Sequence, residues 1–167
     1  MDAIGWVNLL ALSVLTIIFL GSGIRKLCFN HNMILMYPKW AQPLSGAWEV
    51  AAALLLHWPA SLRPMALLMV HCFLGSVLHV VFFGSARADH GREGRTMWQR
   101  EGVTGLKPFA IAFVNAWFLC WATPASERAY GLGPPVAVHF LAMGLGYLAA
   151  LVLFAVGPSK YEAKKID

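Results

Sequence analysis

"GSGIRKLCFN", residues 21–30, places Arg25 and Lys26 at the end of a run, residues 3–24, that carries no charge. An apolar run of that length ending on two cations is the pattern of a membrane-crossing helix. A hydrocarbon core about 30 Å thick takes roughly 20 apolar residues. The rest of the chain has the same character: of 167 residues, 59% are hydrophobic and 13% charged, and the mean hydropathy is +0.62. That apolar fraction exceeds what a soluble domain carries, so lipid is the expected solvent. A net charge of +5 and a pI near 9.4 would point to nucleic acid in a soluble domain. In a membrane protein basic residues first report orientation, and no nucleic-acid partner is expected.

Working outward, the sequence predicts an all-α, polytopic transmembrane bundle in a single domain, residues 1–157, followed by a basic tail, 158–167. Helices are expected at about 4–24, 43–58, 63–84, 107–123 and 134–157. The second and fourth segments are short, and re-entrant segments are the alternative to crossings. Charge decides between them. With five crossings, one side receives Arg63 and Arg128, and the other receives the remaining eleven basic residues. Without the two short segments the split is six against seven. The positive-inside rule therefore selects five crossings, with the N-terminus outside and the C-terminus inside. Trp6, Trp58 and Trp121 fall at outer ends and Trp40 and Trp98 on the inner side, as an interfacial aromatic belt requires. All nine prolines are expected at segment ends or in loops. Asp2 stands where a secretory signal needs a basic residue, so the first segment is expected to remain in the protein.

Chemistry-bearing residues are few. Glu49 is the only acid inside an apolar segment and needs a partner or a purpose. Two partners are in reach. With a tight turn near residue 60, Glu49 and His71 have numbers that sum to 120, so they share one depth and can share a proton. Alternatively, Glu49 turns to Lys26 at the inner end of the first helix. Asn115 is a further intramembrane polar residue. His71 and His79 lie eight residues apart, about 12 Å along one helix, and cannot ligate one metal. His71 with His139 is the best available pair for a haem, at depths that differ by about 6 Å when counted from the outer ends. Cys28, Cys72 and Cys120 form no CxxC pattern and read as small packing residues. Ala142, Gly146 and Ala150 make a small-residue stripe for close helix packing, inside the chain or against another subunit. Arg87, Arg92, Arg95, Trp98 and Arg100 form a basic, amphipathic loop for anionic headgroups or a docking protein. There is no Gly-rich phosphate loop, HExxH, nucleophile elbow or paired carboxylate.

The stretches "FLGSGIRKL" and "PLSGAWEVAAALLL" resemble the DoxX-like membrane proteins. Those carry a G-x-x-K-L end to helix one and a G-x-x-E near the start of helix two. Gly23, Lys26 and Leu27 match the first pattern, and Gly46 and Glu49 the second. The resemblance covers about residues 10–123 and implies a four-helix bundle, to which this chain adds a fifth helix and the basic tail. It also implies one of two roles, a subunit linked to quinone reduction or an accessory factor of larger membrane proteins.

Together these features favour a non-catalytic accessory or structural subunit, or an assembly factor, of a larger membrane complex, respiratory or otherwise energy-transducing. Its partners would be membrane lipids and other membrane subunits, and it would require no metal or cofactor. A redox subunit handling quinone or haem is one alternative, and a small transporter or lipid-binding protein the other.

Overall fold

The computed structural model describes residues 3–28, 41–58, 62–82, 97–122 and 135–156. They form five α-helices: α1 Ala3–Cys28, α2 Ala41–Leu55, α3 Arg63–Phe82, α4 Met97–Ala122 and α5 Pro135–Val156. No strand occurs among the described residues. α1 continues past the uncharged run 3–24, so Arg25 and Lys26 occupy its final turn, where cations complement the exposed carbonyls. α4 begins ten residues before the expected start at 107 and runs through Pro108. That proline was expected at a segment end. Its missing N–H leaves one carbonyl of the preceding turn without its helical partner, and the helix accommodates this.

Neighbouring contacts fix the directions. Thr16 meets His57 and Lys26 meets Ser45, so α1 and α2 run antiparallel. The Trp48 indole N–H donates to the Met69 carbonyl at 3.0 Å, and the Arg63 Nε–H to the Leu56 carbonyl at 3.1 Å. These bonds tie α2 to an antiparallel α3. α5 is parallel to α3: His71 lies against His139, Gly75 against Met143 and His79 against Tyr147. The core binds α1 to α4 into one unit. Leu15 and Phe19 cluster with Ala52 and Ala53 from α2 and Leu56 just beyond its end, with Leu67, Val70 and Leu74 from α3 and Ala112, Ala116 and Leu119 from α4. α5 packs outside this four-helix unit, along α3.

Two glycine seams set the closest approaches. Between α1 and α2, a Cβ at Gly23 would stand 2.8 Å from the Gly46 carbonyl oxygen, and one at Gly46 would stand 2.9 Å from that of Gly23. Between α3 and α5, a Cβ at Gly75 would strike the Met143 carbonyl, and one at Gly146 would strike the Cys72 carbonyl. Backbones this close exclude any side chain. Gly146 of the expected small-residue stripe thus packs inside the chain; Ala150 is buried and Ala142 half-buried. Gly75, its counterpart on α3, is not part of that stripe.

Two helices, Gly5–Cys28 and Arg63–Phe82, are long and apolar enough to cross a membrane, with mean hydropathies of 2.2 and 2.1. Lys107–Cys120 and Ala137–Leu153 are shorter apolar stretches.

The α3–α5 seam makes a position-specific prediction. Gly146→Ala should destabilise the protein by about 1–3 kcal/mol, as overpacking does. Gly144, two residues earlier, has nothing within 4 Å of a built Cβ. Gly144→Ala should be neutral or gain up to about 1 kcal/mol from helix propensity. Thermal unfolding in detergent compares the two, and equal effects would contradict the seam.

Candidate functional site

Glu49 sits in the third turn of α2, three residues after the glycine that lets α1 approach, and is fully buried. Lys26 comes from the last turn of α1 and is also buried. Its ammonium forms an ion pair with Glu49 Oε1, donates a second hydrogen bond to Ser45 Oγ at 3.0 Å, and lies 4.9 Å from the centre of the Phe73 ring. That distance is within cation–π range. The cation therefore has a carboxylate, a hydroxyl and an aromatic face, drawn from α2 and α3. Glu49 Oε2 has no hydrogen-bond partner among the described residues. The local sequence explains the geometry. Gly23 and Lys26 lie one helical turn apart, as do Gly46 and Glu49, so each glycine opens the space into which the next turn's charge projects.

Of the two partners foreseen for Glu49, the structure brings it Lys26. His71 is not at this site. Lys26 touches Phe73, two residues from His71, so the shared depth holds to within about one turn. Direction is what separates them: residues two apart on a helix point about 200° from one another. Phe73 faces α1, whereas His71 faces α4 and α5. Asn115 is also elsewhere, with its amide donating to the Ile111 carbonyl of its own helix at 2.7 Å.

His71 anchors a second polar cluster. Its Nδ1 is 2.7 Å from the Leu67 carbonyl. A carbonyl only accepts, so Nδ1 carries the proton, and in the neutral ring Nε2 is a bare acceptor. Among the described residues that buried Nε2 has no hydrogen-bond partner, and the same is true of His139 Nδ1. The two rings lie 4.4 Å apart, although their depths counted from the outer ends differ by about 6 Å. The helix ends are staggered: with residue 71 level with 139, α5 starts four residues deeper than α3. This takes up about 6 Å. At 4.4 Å the rings leave no room between them for a porphyrin, so they are not the axial pair of a haem. Cys120 of α4, 6% exposed, completes the cluster, and Trp117 stands edge-on to His71 at 5.6 Å. Cys120, expected as a packing residue, and His139, expected as a haem partner, instead meet at one cluster with His71. The parallel run of residues 71, 75 and 79 beside 139, 143 and 147 was the available signal, each set at four-residue spacing.

Of the basic surface group, Arg87, Arg92 and Arg95 lie outside the described residues. Trp98 and Arg100 fall in the first turns of α4, within a helix where a loop was expected.

Compared with known proteins, the chain matches no family model, no curated protein and no solved structure.

The buried pair predicts an asymmetric response to substitution. Glu49→Gln leaves the Lys26 ammonium buried without its counter-charge and should cost about 3–5 kcal/mol. Ser45→Ala removes one hydrogen bond and should cost about 1 kcal/mol. Unfolding titrations in mixed micelles measure both. A Glu49→Gln protein as stable as wild type would show that the pair does not form.

Proposed function

We propose that this chain is a five-crossing, DoxX-like integral membrane protein that works as a non-catalytic structural subunit or assembly factor of a larger membrane complex. The observation that carries the reading is the inversion of polarity across the bundle. Large apolar side chains point outward from all five helices, among them Ile17, Leu54, Met65, Val114 and Leu141, each more than 40% exposed. Lys26, Glu49, His71 and His139 are turned inward and buried. Water would select the opposite arrangement. Alternating directions from α1 to α3, and a parallel α3–α5 pair with one helix between them, support successive crossings. The two apolar helices of spanning length and the basic-residue asymmetry support the same topology.

A structural role follows from how the charged site is closed. An ion inside a bilayer costs about 2.5–3.5 kcal/mol even on insertion scales, and such residues persist where they pair or serve a pathway. Here the ammonium is spent on Glu49, Ser45 and Phe73 and has no exposed face to offer a substrate. The G-x-x-K-L and G-x-x-E residues that carry the DoxX-like resemblance are the same residues that form the α1–α2 seam. The shared element is then a packing device, which fits a scaffold.

Two experiments test this reading. Labels at residues 95 and 165 should react from one side of the membrane and a label at 128 from the other; a shared side for 95 and 128 removes the α4 crossing. Extraction in mild detergent should show the chain co-migrating with a larger assembly on native gels. A monodisperse particle of this chain alone would contradict the subunit role.

A further inference from the structure

We propose that His71, Cys120 and His139 form a three-coordinate site for a soft monovalent metal ion, Cu(I), held between α3, α4 and α5. One donor atom from each residue lies within 4.8 Å of the other two, and all three side chains are buried. Metal–nitrogen bonds of about 2.0–2.1 Å and metal–sulfur bonds of about 2.3 Å place donors roughly 3.5–3.8 Å apart around a shared ion. Donors at 4.8 Å need to close by about 1 Å to share an ion.

The hydrogen bonding points to a ligand. A buried histidine that only fills a core has its nitrogens paired, yet His71 Nε2 and His139 Nδ1 are both buried and unpaired. Each orphan carries a desolvation cost that an ion would recover. His71 is also set as metal-binding histidines are set: its far nitrogen donates to the Leu67 carbonyl, fixing the ring and leaving the other lone pair free. Trp117 packs edge-on against His71 and 6.4 Å from His139, walling the cluster with an aromatic ring.

Charge selects the ion. Cys120 binds as a thiolate: its S–H bond breaks, the proton leaves to solvent, and the sulfur pair forms the metal bond with no change of oxidation state. The site then carries one negative charge. Glu49 is the only carboxylate among the side chains described, and it is committed to Lys26. A monovalent cation makes the buried site neutral, whereas Zn2+ leaves it with an uncompensated positive charge. One sulfur and two imidazoles also suit a soft ion.

The test is anaerobic titration of the full-length, reduced protein in mild detergent with Cu(I), against a chromogenic Cu(I) chelator. The expected result is one copper withheld per chain, with X-ray absorption showing one sulfur and two nitrogen neighbours. Cys120→Ser and His139→Gln should each weaken binding at least tenfold while helical content by circular dichroism is kept. Cys28→Ser, at an exposed cysteine, should not. No copper withheld, binding that survives both substitutions, or Zn2+ withheld in preference to Cu(I) would overturn the assignment. The absorption spectrum of the wild-type protein decides the ligand set even if a variant fails to fold.

Discussion

A lysine and a glutamate cannot be left apart in an apolar interior, and this constraint orders the α1–α2 half of the molecule. Burying either ion alone costs several kcal/mol, and their mutual attraction offsets this only in good geometry with further hydrogen bonds. Lys26 therefore needs Glu49 and Ser45 on the facing helix at once, which allows one register between α1 and α2. Reaching that register requires the helix axes to come close, which Gly23 and Gly46 permit by presenting bare backbone to each other. A one-turn slip would move the ammonium away from the carboxylate and put a side chain where Gly23 and Gly46 now face each other. The pair adds little net stability over an apolar substitute; its contribution is to make other packings worse.

The second half of the bundle solves a different problem around α3. That helix shows Phe73 to the charged seam and His71 to α4 and α5, so two polar regions at similar depth stay separate on opposite faces. Gly75 and Gly146 bring α3 and α5 into backbone contact, and the same closeness presses His71 and His139 together. If lipid is the outer solvent, as proposed, apolar burial gains nothing between helices. Close packing at small residues and satisfied polar groups then hold the bundle. Both seams supply the first; the Lys26 ammonium, paired with Glu49 Oε1 and Ser45, supplies the second.

Much of this was legible in the residues. The uncharged run before Arg25 and the turn expected near residue 60 pointed to α1 and to the antiparallel α2–α3 pair, while the proline spacing failed at Pro108, which lies inside α4. The G-x-x-K and G-x-x-E spacings placed Lys26 and Glu49 where they could meet. What the sequence could not supply was rotation. Glu49 and His71 match in depth, and depth follows from counting residues, but which face of α3 turns toward α2 depends on how every helix packs. The stagger of α5 against α3 was hidden for a similar reason. It is set by where backbones fit at Gly75 and Gly146, whereas counting assumed level ends. The early start of α4 was obscured because its first turns carry Arg100 and Glu101, which read as loop.

The central claim is that Lys26 and Glu49 act as one unit. A double-mutant cycle on unfolding in mixed micelles, using Lys26→Met and Glu49→Leu, isolates it. Each single substitution strands a buried charge, while the double substitution leaves two apolar side chains of similar size. The account predicts a double variant far more stable than the sum of the singles implies, with a coupling of about 3 kcal/mol. Effects that add to within about 0.5 kcal/mol would mean the two residues do not sense each other, and the α1–α2 register would need another cause.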